Sequence, residues 1–294
     1  MVKCLIKTYK STANVNLPYL GELRIPIHTV SNITDVTQRR IELATIDPDC
    51  KIFTADGSAK LCTSEDLTNP SNSITYKDAI GSESKLHIYC LDGDYDVVIT
   101  NRYKITTLAA WNQKEMVWTL DLAKLSYCVD LEKLQFEPGF NGCFGNISSL
   151  GESTKLKYVK IGVTYNGKNI YGDIGVFSNM KSINTIDFKD ITGITGKLSS
   201  LNELISLSVL SINESSVTGT FENFVKAQCK AGRISGELKS WHTKANVTLN
   251  GKKPNFQLFL KFTASGCDIY EGVATSGKKV ASYVKSTDAW SYTN

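Results

Sequence analysis

The sequence predicts a mainly β chain: an N-terminal antiparallel β domain, then a repeat solenoid, then a β-rich C-terminal cap. Short β-favouring runs separated by Asp-Gly and Asn-Pro turns fill the first 112 residues. A Gly-x-apolar-x-x-apolar element then occurs five times, and an apolar-x-x-apolar-x-apolar element lies upstream of each of the first three.

Composition narrows the function classes. With 294 residues, 41% hydrophobic and 21% charged, the chain can bury a substantial core and does not read as a disordered tail protein. Thirty-three Lys and Arg face 29 Asp and Glu, a net charge of +4, with no run of five basic residues. The electrostatic footprint of a nucleic-acid binder is therefore missing. No segment reaches the roughly 20 apolar residues of a membrane span, nor the roughly 7–15 of a secretory leader, so neither membrane insertion nor export is expected. Eight cysteines stand at positions 4, 50, 62, 90, 128, 143, 229 and 267 with no C-x-x-C pair, against a zinc knuckle or thioredoxin-like motif. Without an export signal they are expected as buried thiols rather than disulfides.

In the first part, Lys3–Tyr9, Leu23–Val30, Lys51–Thr54 and Lys85–Leu91 read as strands. Asp92-Gly93, set between KLHIYCL and YDVVITN, predicts a two-residue hairpin. Asp92, Asp94 and Asp96 also imitate the opening of a calcium loop. Val97 and Tyr103 occupy the positions where that loop needs a glycine and a carboxylate, so no metal is expected.

In the second part, the glycine elements begin at Gly145, Gly172, Gly196, Gly219 and Gly236, spaced 27, 24, 23 and 17 residues apart. The upstream elements are Leu131/Leu134/Phe136, Leu156/Val159/Ile161 and Ile183/Ile186/Phe188. For the fourth unit, Leu204/Leu207/Val209 and Leu207/Leu210/Ile212 fit equally. One unit cannot bury its own apolar face, so neighbours must stack and their strands must join in parallel. The glycine permits a sharp turn at positive φ. Beyond Trp241 the code decays into four strand-like runs, Val247–Leu249, Phe256–Phe262, Cys267–Tyr270 and Val280–Val284, as expected of a cap that covers an exposed core edge.

Segments such as ITGITGKLSSLNELISL and SVTGTFENF resemble the leucine-rich-repeat family, in the variant carrying a Leu/Ile-Thr-Gly-x-Ile motif, as found in bacterial and phage structural and adhesion-like proteins. The resemblance covers about residues 131–241, with KITTLAAW (105–111 and its flank) as an alternative start. It implies a leucine-rich-repeat solenoid over 113–241, between a β-rich domain over 1–112 and a β-rich cap over 242–294. The chain departs from the family pattern where Gly139, Thr164 and Ile191 replace the asparagine that usually follows the strand.

No nucleophile elbow, phosphate loop, dinucleotide fingerprint or zinc-protease motif occurs, and His28, His87 and His242 lack companions at ligand spacing. The expectation is therefore no enzyme, no cofactor and no metal. Binding falls to the outward residues of the expected concave sheet: Lys133, Gln135 and Glu137, then Tyr158 and Lys160, then Thr185, Asp187 and Lys189. Their mixed charge argues against a polyanionic partner, and Tyr158 offers an aromatic anchor for a protein or a sugar. Adhesin-like repeats without an export signal suggest a phage virion protein, made in the host cytoplasm and anchored by its N-terminal domain. Its expected partners are other virion structural proteins, with a host-surface glycan or protein as a further candidate. The alternative is a cytosolic interaction scaffold or injected effector.

Overall fold

Two packed sheets of alternating strands make the N-terminal part. The computed structural model describes residues 21–29, 39–55, 61–63, 66–71, 73–80, 84–90, 94–112, 116–118, 120–136, 142–162, 170–272 and 274–293. The expected strand at Lys3–Tyr9 lies outside these residues. One five-stranded antiparallel sheet runs in the order Met116–Trp118, Leu23–Thr29, Asp94–Ile99, Lys51–Thr54, Ser73–Thr75. Leu23, Ile25 and Ile27 on one strand and Tyr95, Val97 and Ile99 on its neighbour are buried, as a period of two requires when one face meets a core. Opposite them, Ile41, Leu43, Leu86 and Ile88 join the same core from the second sheet.

The two arms of the expected Asp92-Gly93 hairpin do not pair with each other. Leu86–Cys90 pairs with Arg39–Thr45 and Leu61–Thr63, whereas Asp94–Ile99 pairs with Leu23–Thr29 and Lys51–Thr54. The two runs belong to different sheets, so their buried residues face a common core from opposite walls. Long-range pairing overrides the local turn preference here.

The second sheet does not end with this part. Arg39–Thr45 pairs antiparallel with Ile105–Asn112, which pairs in parallel with Lys133–Phe136. From there Tyr158–Ile161, Thr185–Asp187, Val209–Ser211 and Gly236–Trp241 add one parallel strand each. An antiparallel meander of Leu258–Thr263, Gly266–Glu271, Lys278–Val284 and Ala289–Tyr292 completes a sheet of 14 strands. Ile105–Asn112 thus serves both halves, and residue 112 divides the chain without dividing the sheet.

Each of the five parallel strands from Lys133 onward ends one coil, and each coil begins on a second, narrower parallel sheet. Its strands are Leu120–Asp121, Cys143–Asn146, Ile170–Asp173 and Gly193–Thr195, and Thr218–Thr220 pairs with Asn246–Thr248 beyond them. Between the two sheets the chain returns through turns of three residues. Cys128 and Leu131 donate to the carbonyls of Leu125 and Cys128 at 3.0 and 3.1 Å, and Met180 and Ile183 to those of Phe177 and Met180 at 2.9 and 3.0 Å. Three residues per turn place every third side chain on one line. The two sequence elements are therefore parts of one ladder. Leu122, Leu125, Cys128, Leu131, Leu134 and Phe136 are buried in the first coil, and Ile174, Phe177, Met180, Ile183, Ile186 and Phe188 in the third. Pairing of Ile186 with Leu210 selects the second register for the fourth coil, with Leu207, Leu210 and Ile212 inward.

Glycine has a sharper role than a flexible turn. Asp121, Asn146 and Asp173 each cap the turn that follows, their Oδ1 atoms accepting from the N–H groups of Ala123, Ser148 and Gly175 at 2.9, 2.9 and 2.7 Å. The glycine of the next coil lies over that cap. Gly196 has φ +108°, and a Cβ there would run into the Asp173 carboxylate. This outer ladder of caps satisfies backbone donors exposed at each turn. At the inner position of the family asparagine, Ile191 is buried among apolar side chains in the third coil, and Ser215 in the fourth donates to the Ile212 carbonyl at 2.7 Å.

The fifth glycine element is a coincidence of spacing. Gly236 begins a strand of the long sheet, not of the narrow one, and Val247 is the partner of Gly219. In this last coil Ser240 aligns with Leu210, and His242 follows in the place of Ile212. The helix Phe221–Lys230 replaces the three-residue turns before it. Thr220 caps it, and Phe221, Phe224, Val225, Gln228 and Cys229 are buried at helical spacing. Gln228 donates to the carbonyls of Leu201 and Asn202 at 3.0 and 2.9 Å, closing the preceding coil. Arg233 donates to Gln228 Oε1 at 3.0 Å and lies 4.0 Å over the Phe262 ring, tying coil to meander.

Candidate functional site

The sequence-predicted binding residues come together on the outward face of the long sheet in two columns. Lys133, Tyr158 and Thr185 lie side by side, followed by Val209 and Lys239. Gln135, Lys160 and Asp187 form the next column, followed by Ser211 and Trp241. Gln135 and Thr185 are buried, Lys133, Tyr158, Lys160 and Asp187 are half-buried, and Lys189 is exposed just past its strand. Glu137 lies outside the described residues.

Much of this face is occupied with its own contacts. Lys133 Nζ reaches Glu42 Oε1 at 3.2 Å, and its ammonium stands 5.9 Å from the centre of the Tyr158 ring. Glu42 also pairs with Lys85 at 2.9 Å and faces His87 Nε2 at 3.6 Å. Burial works against the Glu42 carboxylate, but hydrogen bonds from Lys85 and Lys133 outweigh it and hold its pKa below the ordinary value. Asp187 goes the other way: burial raises its pKa, only partly offset by hydrogen bonds from the Ser211 hydroxyl and the Lys189 amide. The expected anchor Tyr158 is therefore covered on one side by a lysine that bridges to the N-terminal half.

The narrow sheet presents a different surface. Phe144 and Tyr171, each the residue before a positive-φ glycine, stand 37% and 50% exposed on neighbouring parallel strands. They border an open cleft of about 540 Å³ lined also by Asp121, Gly145, Asn146 and Ser149. A second cleft of about 270 Å³ lies at the neighbouring two-stranded pair, lined by Lys197, Gly219, Thr220 and Asn223. The sequence reading considered only one face and passed over these aromatics. Their signal is an aromatic residue immediately before the glycine in two consecutive units.

Among the described residues no group of three or more His, Cys, Asp or Glu could hold a metal ion. Cys50, Cys128, Cys143, Cys229 and Cys267 are buried free thiols. Burial pushes Cys50 and Cys128 up to about 11 and raises the other three as well. No helix among the described residues is long and apolar enough to cross a membrane.

No protein-family pattern matches this chain, and no curated protein matches it. Among solved structures, the leucine-rich-repeat ectodomain of the receptor kinase SOBIR1 from Arabidopsis thaliana is similar at a TM-score of 0.31 and 14% identity. The match covers 48% of this chain and 74% of that one.

Proposed function

We propose that the protein is a non-catalytic binding scaffold of the leucine-rich-repeat kind, carried on a phage virion and anchored by its N-terminal antiparallel half. The observation that supports this reading is the uninterrupted outward face of the long sheet. Side-chain columns run across successive strands from Lys133 through Tyr158 and Thr185 and from Gln135 through Lys160 and Asp187, with Glu42 two strands before Lys133, on a framework whose two ends share one core. A rigid periodic surface suits recognition of another protein, because little freedom remains to be lost on binding. Mixed charge makes single contacts weak, and many copies on one particle would supply avidity. Virion structural proteins are the proposed partners at the anchored end.

The test uses the intact chain, since a cut at residue 112 would break a paired sheet. An antibody against the chain is used on purified particles and on the host cytosol. Stoichiometric recovery with particles that is unchanged by Lys160→Glu together with Lys189→Glu on the displayed face supports the reading, whereas recovery lost in that double variant puts the anchor on the solenoid and overturns the proposed polarity. Absence from particles with recovery in a host complex replaces it with the cytosolic scaffold.

A further inference from the structure

We propose that the cleft on the narrow sheet, between Phe144 and Tyr171, is a binding subsite for a neutral oligosaccharide. It lies on a different sheet from the outward face of the long sheet and does not depend on it.

The cap ladder supplies the polar groups of this cleft. Asn146 Oδ1 accepts the Ser148 N–H at 2.9 Å. Only the oxygen of an amide can accept, so this bond fixes the side chain and leaves Nδ2 as a donor. Asp121 Oδ1 accepts the Ala123 N–H at 2.9 Å, which leaves Oδ2 as an acceptor. The stack thus sets one oriented acceptor and one oriented donor on adjacent coils, both lining the same cleft, with the Ser149 hydroxyl beside them. Neither needs to be ordered when a ligand arrives.

Beside this polar pair stand the two rings, Phe144 paired in register with Asp121 and Tyr171 with Asn146. The rings therefore sit diagonally on neighbouring strands, two residues out of register and roughly 8 Å apart at the backbone. A pyranose ring has one apolar C–H face and an equator of hydroxyls, each both donor and acceptor. Such a ligand would use a ring face and an acceptor–donor pair together, whereas an apolar peptide side chain would leave the Asp121 and Asn146 groups unpaired at a cost. The lining residues include the Asp121 carboxylate and no cation, which selects neutral over acidic sugars. A volume of about 540 Å³ falls in the usual range of ligand clefts. A cleft of this size is larger than a single pyranose, which favours a short chain of sugars over one ring.

The experiment titrates the purified full-length protein with cellotetraose, chitotetraose and maltotetraose by calorimetry, with saturation-transfer NMR to show which sugar protons touch the protein. Saturable binding of at least one sugar, weakened by about tenfold in Tyr171→Ala and unchanged in Tyr158→Ala on the other sheet, is the expected result. Asp121→Asn keeps an oxygen for the cap and turns the outer acceptor into a donor. It should weaken the same sugar while the melting temperature stays close to that of the parent, and it serves if Tyr171→Ala does not fold. No saturable binding, or binding that Tyr171→Ala and Asp121→Asn leave unchanged, overturns the site. Competition by an aromatic peptide in place of the sugars overturns the ligand class. Because purified protein and free sugar are used, the outcome is separate from whether the chain is found on virions.

Discussion

Acidification should destabilise the last coil through His242. This ring is 1% exposed and occupies a core position that Ile212 fills one coil earlier. Nδ1 lies 3.1 Å from the Ser240 carbonyl, the Phe221 ring packs at 4.8 Å, and Nε2 has no hydrogen-bond partner. A second proton would be buried at Nε2 with nothing to accept it, and burial accordingly lowers the pKa from 6.5 to about 4. Above pH 6.5 both folded and unfolded chains carry a neutral ring, so the histidine adds no pH dependence. Below that pH the unfolded chain takes up a proton that the fold refuses, and stability falls by about 1.4 kcal/mol per pH unit. The loss reaches roughly 3 kcal/mol by pH 4. Urea denaturation of the parent and of His242→Leu, run at intervals from pH 7 to 4, measures it. The parent should lose roughly 3 kcal/mol more than the variant across that window. Glu42 and Asp130, whose pKa values are held low, act at more acid pH and are common to both proteins. Parallel profiles would refute a buried neutral histidine.

Phe188 is fully buried with its ring centre 5.8 Å from that of Phe177, so Phe188→Ala should cost about 3–5 kcal/mol, read from the denaturation midpoint. An unchanged midpoint would place Phe188 outside the core. Thiol titration in denaturant without reductant should find close to all eight cysteines reactive. In the native protein Cys50 and Cys128, with pKa near 11, should hold only about one thiolate in a thousand at pH 8 and react slowly with disulfide reagents. Fast reaction at either would contradict their burial.

The core was the most legible part of the sequence, because buried ladder positions admit few residue types. Leu134, Phe136, Val159, Ile161, Ile186 and Phe188 could be named from spacing alone, and all are buried. The fourth register could not, since Val209 and Leu210 are both apolar and only the partner strand decides between them. The narrow sheet escaped notice because its strands are two to four residues long, too short for a period of two to show. The helix Phe221–Lys230 carried a readable signal in Phe221, Phe224, Val225, Gln228 and Cys229, hidden by the glycine element that overlaps its start. Gly236 matched the code by composition while standing in the other sheet. For the candidate sites, alternation along a strand gave the outward residues, but not Glu42, which comes from 91 residues away to hold Lys133.

The coils stack so that Gly145, Gly172 and Gly196 each cover the cap of the coil before. A double-mutant cycle on Gly196 and Asp173 tests that contact directly. Gly196→Ala adds a Cβ that meets Asp173 oxygens and strains a φ of +108°. Asp173→Ala removes the cap at about 0.5–2 kcal/mol. If the two residues are stacked, removing Asp173 relieves part of the collision. The double variant should then be more stable than the sum of the two single losses predicts, by about 1 kcal/mol. Additive losses would mean that Gly196 and Asp173 do not touch, and the stacking of coils on which both candidate surfaces depend would be wrong.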